Sequence, residues 1–134
     1  MKFACLVYID EEIAGRMTPE EHRKLTDRTI EEDWRLRREG RLILSQPLES
    51  PERAVTIRGR GGRLARTDGP FAETKEFLGG FYLIEARDLD EAIEIVGRDP
   101  MVEMGRIEIR PYLDQTHSAT GRGRPPLLGS AGGL

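Results

Sequence analysis

The sequence predicts an α+β domain in which two β-α-β units enclose a β-hairpin, and three features carry that prediction. Two amphipathic segments begin on helix-capping signals, one after Thr18 and one after Asp88. Apolar, strand-like runs flank both of them. Between the two units, GRGG (59–62) separates two short segments as a turn would.

Each element has its own reason. Residues 2–9, KFACLVYI, are apolar and rich in strand formers. The first helix starts where Thr18 can cap, Pro19 takes the first helical position and Glu21 completes a capping box; Gly40 stops it. His22, Leu25, Thr29 and Leu36 share one face of that helix at 100° per residue. Ile30 and Trp34 lie on its flank, where Trp34 could cover a core edge or meet a second subunit. RLILSQPLE (41–49) is a second strand that ends at Pro47. RAVTIR (53–58) and RLARTD (63–68) are the arms of the hairpin. FLGGFYLIEA (77–86) is the strongest later strand. Asp88 with Glu91 repeats the cap signature, and Leu89, Ala92, Ile93 and Val96 form a second helical stripe that Pro100 ends. GRIEIRPY (105–112) alternates as a last strand.

That order is a ferredoxin-like split βαβ with an inserted hairpin, an antiparallel sheet carrying both helices on one face. Its other face also needs cover. Cys5, Val7 and Ile9 are expected to point one way and Phe3, with Leu6 and Tyr8, the other way, so both faces carry apolar residues. A second copy of the sheet is the economical cover, and a homodimer is expected. The domain spans 1–113. The segment 114–134 is rich in Gly and Pro and reads as a mobile tail or an arm on a partner, with His117 an idle surface histidine.

Composition narrows the function. The chain has 134 residues, 34% of them charged with both signs interspersed, and a net charge of -3. That balance argues against nucleic acid as a partner, and the locally basic RGRGGRLAR (58–66) reads as the hairpin turn. No run reaches the roughly 18 apolar residues of a membrane helix. The N-terminal run meets Asp10, Glu11 and Glu12 without a cleavage pattern, so it is a strand and not a signal peptide. A single cysteine, Cys5, fits a buried thiol in a reducing cytoplasm.

Histidine is the natural search term for an acid or base near neutral pH. His22, on the apolar side of its helix, is either a partly buried, hydrogen-bonded residue or a proton-transfer group in a cleft. Asp99, before Pro100, is either an ordinary helix exit or the carboxylate that orients His22. DGPFAETKE (68–76) crowds charge beside a turn. It is either a solvated arm or the rim of a pocket, with Asp68, Phe71, Glu73, Lys75 and Glu76 as substrate-binding candidates. Gly79-Gly80 leaves room in a strand for a ligand, a bulge or a close neighbour. Carboxylates and histidines show no metal-ligand spacing, so no metal is expected.

The stretch TDGPFAETKEFLGGFYLIEARDLDEA, with the DP…G…IxIRPY ending, resembles the DGPF-domain branch of the YCII-related family over roughly residues 1–113. The resemblance implies the dimeric α+β barrel superfamily, ferredoxin-like protomers whose sheets pack together. It implies a His–Asp active-site pair, here His22 in TPEEHRKL and Asp99 in RDPMVEMG. Relatives include a cofactor-free dehydrochlorinase of a chlorinated aromatic, which implies a lyase or isomerase acting on a small cyclic or aromatic molecule without a cofactor. Other members resemble accessory partners of extracytoplasmic-function sigma factors. A non-catalytic dimer binding a metabolite or such a factor is therefore the alternative expectation.

Overall fold

The computed structural model describes residues 1–70 and 75–129. Strand β1 (Lys2–Asp10) leads into a short helix α1 (Glu11–Arg16) and a long helix α2 (Pro19–Arg38). Strand β2 (Leu42–Pro47), the hairpin β3 (Val55–Arg60) and β4 (Arg63–Asp68), and strand β5 (Glu76–Glu85) follow. Helix α3 (Leu89–Gly97), a 3₁₀ turn (Pro100–Met104) and strand β6 (Gly105–Pro111) complete the domain. The main sheet runs β2-β5-β1-β6, every pair antiparallel, and β3-β4 stands apart as a two-stranded ribbon. This is the expected ferredoxin-like α+β order, and the sheet is open.

Local chemistry sets the helix limits. The Thr18 hydroxyl accepts from the Glu21 N–H at 3.1 Å, and the Glu21 carboxylate accepts from the Thr18 N–H at 3.0 Å, a complete capping box. At the other end Gly40 takes φ 74°, its N–H donates to Arg37 O, and the Arg41 N–H donates to Leu36 O. Those two bonds are a Schellman close, which needs the left-handed residue that glycine supplies. Helix α1 was not foreseen, though its signal is present: Asp10 accepts from the N–H groups of Glu12 and Ile13, with Glu11 and Glu12 in the first turn.

The core lies between the sheet and the two longer helices. Phe3, Cys5 and Val7 from β1, Tyr82 and Ile84 from β5 and Leu42 from β2 meet Leu36 of α2 and Ala92, Ile95 and Val96 of α3. The placing of Phe3 therefore corrects the expectation. The period-2 pleat puts it with Cys5 and Val7 on the helix side, and the open face carries Ala4, Leu6 and Tyr8. Leu36 is the only fully buried residue of α2; Trp34 and Ile30 remain exposed on its flank.

The double glycine of β5 is explained by packing. A Cβ at Gly79 would lie 2.2 Å from Ile9 Cδ1, and one at Gly80 would lie 3.0 Å from Gln46 O. Neighbouring strands fill the room that a side chain would take. The segment after 113 also differs from a simple mobile tail. A Thr116–Gly123 bridge closes a small loop, and the His117 Nδ1 accepts from the Ala119 and Thr120 N–H groups, each at 3.2 Å. His117 caps a turn rather than standing idle.

Candidate functional site

A polar group runs through the layer between sheet and helices. Register aligns Ser45, Tyr82, Cys5 and Ile109 in one row across β2, β5, β1 and β6. Tyr82 is 4% exposed, yet its hydroxyl makes no hydrogen bond of ordinary geometry. It faces the carboxylate of Asp99, which stands at the start of the 3₁₀ turn and accepts from the Met101 N–H at 2.8 Å. Asp33, on the inner side of α2, lies beside Ser45 and completes the group.

The electrostatics follow from burial. Asp99 is held above the ordinary carboxyl range chiefly by burial. The Met101 N–H and then the Tyr82 hydroxyl pull it back, while the negative charges of Asp33 and Glu32 push it up. Asp33 is raised by burial as well, with the Ser45 hydroxyl opposing and Glu32 adding. Burial, and then the Asp99 charge, drives the Tyr82 phenol far up, so it stays a proton donor. The same two causes push the Cys5 thiol up to about 12, against a smaller pull from Tyr82. An inert buried thiol is what that chemistry describes.

The residues singled out from sequence fall in three places. His22 is exposed, and its Nε2 meets the Ala14 carbonyl at 3.1 Å across the turn between α1 and α2. Asp99 is half-buried beneath α2, and no hydrogen bond or ion pair joins it to His22. The reason is the helix offset. Arg98 and Pro100 pack toward residues 28–38 of α2, which begin about 9 Å past His22 along the axis at 1.5 Å per residue. Asp68 is paired with Arg66 at 2.7 Å on the exposed hairpin. The Lys75 carbonyl accepts from the Glu11 N–H, and Glu76 pairs with Arg106 at 3.0 Å, whose guanidinium lies 4.0 Å from the Tyr8 ring centre. Phe71 and Glu73 lie outside the described residues.

Sequence reasoning missed Asp33 and Tyr82. Asp33 hides in the charged run EED, and Tyr82 reads as a core aromatic; only the register brings both to Asp99. Two of the concavities among the described residues bear on the site. One, of about 390 Å³, lies between α2 and the Arg98–Pro100 segment. The other, of about 620 Å³, is formed by residues 115–125 of the tail loop alone and holds no carboxylate. Among the described residues, no three His, Cys, Asp or Glu side chains gather as metal ligands would. Nor is any described helix long and apolar enough to cross a membrane.

Sheet order and helix placement define a ferredoxin-like α+β protein with a buried carboxyl–phenol group under its longer helix. A family model for the YCII-related domain matches residues 1–116, and the chain belongs to that family. It is 35% identical over 114 residues to the uncharacterized protein R00369 of Rhizobium meliloti (strain 1021), covering 83% of this chain and 91% of that protein. Among solved structures it is similar to 5-chloro-2-hydroxyhydroquinone dehydrochlorinase from Burkholderia phenoliruptrix AC1100, in complex with 2,5-dihydroxybenzoquinone. That likeness has a TM-score of 0.44 at 16% identity and covers 86% of this chain and 96% of the other.

The raised Asp99 carboxyl predicts a pH dependence of stability. The folded state binds this proton more tightly than the unfolded chain, so its contribution is fully present below the unfolded pKa of about 3.9. It is lost as pH rises through the higher folded value. Asp99→Asn keeps a capping acceptor and removes the charge. Its melting temperature is expected to exceed that of wild type near neutral pH and to converge with it toward about pH 4. A difference that stays constant across that range would show that Asp99 titrates normally.

Proposed function

We propose that this chain is an acid–base enzyme of the lyase or isomerase type, working without a cofactor on a small cyclic or aromatic molecule that carries hydroxyl or carbonyl groups. The observation that carries this reading is the Tyr82 hydroxyl, buried and facing the Asp99 carboxylate without a hydrogen bond of ordinary geometry. A buried donor whose bond is poorly made costs up to about 1–3 kcal/mol. Such a cost is easier to retain where a ligand oxygen can take the bond.

The roles follow from protonation. An aspartate raised toward neutral pH is a better general base than an ordinary one, because its proton affinity is closer to that of the solution. Asp99 would take a proton from the substrate, and Tyr82, kept protonated, would donate to the oxygen on which charge develops. In an isomerisation the proton returns at another atom; in an elimination the electron pair leaves with the departing group. Asp33, next to both, raises Asp99 further while ionised. His22 belongs to the reaction only if the substrate reaches the turn between α1 and α2, since Asp99 does not hold it in the free protein. The charged rim of Asp68, Lys75 and Glu76 lies at the hairpin and at the start of β5, and its binding role is part of this proposal.

The test is proton exchange in D₂O, followed by NMR over a panel of hydroxylated quinones, hydroquinones and cyclic ketones. Wild type should exchange or convert at least one compound above buffer. Asp99→Asn should lose about 100-fold or more, and Tyr82→Phe should lose chiefly kcat. Activity that survives Asp99→Asn but vanishes in His22→Ala would move the base to the histidine and refute these roles. An inactive wild type across the panel would favour the non-catalytic alternative, a metabolite-binding or sigma-factor accessory protein.

We also propose that the working form is a homodimer joined through the open face of the sheet. Ala4, Leu6 and Tyr8 of β1 and Phe81 and Leu83 of β5 lie on that face and are only half-buried. A sheet face left to water normally carries polar residues there. Sedimentation should give twice the 15.2 kDa of the chain, and Leu6→Lys should return it to a monomer. A wild-type monomer at micromolar concentration would refute the dimer.

A further inference from the structure

The groove of about 390 Å³ between α2 and the Arg98–Pro100 segment has a charge pattern that the proposed chemistry has not used. Four of its lining residues are arginines, Arg28, Arg35, Arg38 and Arg98, against two glutamates. Arg35 is committed to Glu32 and Glu39, and that pairing also occupies Glu32. Among the described residues, Arg28, Arg38 and Arg98 make no ion pair, and neither does Glu31.

Elsewhere in this chain, whose net charge is -3, seven arginines have found an acid, among them Arg16 with Glu12, Arg41 and Arg87 with Glu91, Arg53 with Glu49 and Arg106 with Glu76, while Arg23, Arg60 and Arg63 stand singly among the described residues. Single exposed arginines need no partner. Three free guanidiniums facing one concavity repel one another, and an anion placed among them relieves that repulsion. Guanidinium geometry suits carboxylate and phosphate alike, through paired N–H donors. The groove volume falls within the roughly 300–1,000 Å³ of small-molecule sites.

We infer that this groove is the subsite for the anionic group, carboxylate or phosphate, of a small-molecule ligand, held by Arg28, Arg38 and Arg98. The inference rests on the acid–base reading above in one respect only: Arg98 and Pro100 are the chain neighbours of Asp99, so the subsite adjoins the centre proposed there. An anion fixed at Arg98 would hold the rest of a ring-sized molecule beside Asp99 and Tyr82. The substrate class then narrows to cyclic or aromatic acids, or their phosphorylated counterparts.

The experiment is calorimetric titration of the full chain with two probes, benzoate and inorganic phosphate, at low and at physiological salt. At least one probe should bind saturably with a millimolar or tighter Kd. Arg98→Gln and Arg38→Gln should each weaken it about tenfold, while Arg16→Gln, the same charge change at a remote site, should leave it unchanged. Benzoate alone binding marks a carboxylate ligand, phosphate alone a phosphorylated one, and both support the subsite. No saturable binding of either probe overturns the inference, as does binding that ignores the Arg98 and Arg38 variants or falls equally with Arg16→Gln. Because the readout is anion binding, it stands or falls separately from turnover at Asp99.

Discussion

The period-2 pleat of β5 places Tyr82 on the helix side of the sheet, next to Ile84 and across from Cys5. A phenol carried there brings its hydroxyl into the apolar layer, and the surroundings have to answer for it. They do so with carboxyl groups: Asp99 from the 3₁₀ turn after α3 and Asp33 from the inner side of α2. Each of those groups is itself partly withdrawn from water, which is why both are raised above the ordinary carboxyl range. One placement on one strand thus sets the chemistry of three elements.

The same layer accounts for the character of α2. A helix of 20 residues would ordinarily bury a full apolar stripe, yet Leu36 alone is fully buried. Its inner side is shared between core contact and the polar group around Asp33. Stability is recovered at its ends, through the capping box at Thr18 and the Schellman close at Gly40, and along its surface through Arg35 with Glu32 and Glu39. Helix α3 does the larger share of apolar packing, with Ala92, Ile95 and Val96 buried.

Much of this was legible in the sequence. The capping residues of α2 and α3, the hairpin and the strand order follow from local signals that act over a few residues. Where the reading failed, the deciding information was tertiary. Helix α1 is short enough that its Asp10 cap looked like the end of a strand. The facing of Phe3 depends on a strict alternation that an apolar run conceals. His22 and Asp99 were both identified, but their separation depends on how far α3 slides along α2, which neither segment encodes. Asp33 and Tyr82 have no distinguishing local pattern at all; an acid in a charged run and an aromatic in a strand become a site only through register. The stretch DGPFAETKE carried the family resemblance in the sequence, and those of its residues that are described lie apart from the carboxyl–phenol group.

The coupling of Asp99 to Tyr82 is the claim on which the account turns, and ¹³C-detected NMR titration of the Asp99 carboxyl tests it directly. In wild type the midpoint should lie above the ordinary aspartate value of about 3.9. In Tyr82→Phe it should rise further, because the hydroxyl that favours the carboxylate has been removed. A wild-type midpoint at or below the ordinary value, or one that Tyr82→Phe leaves in place, would contradict the account.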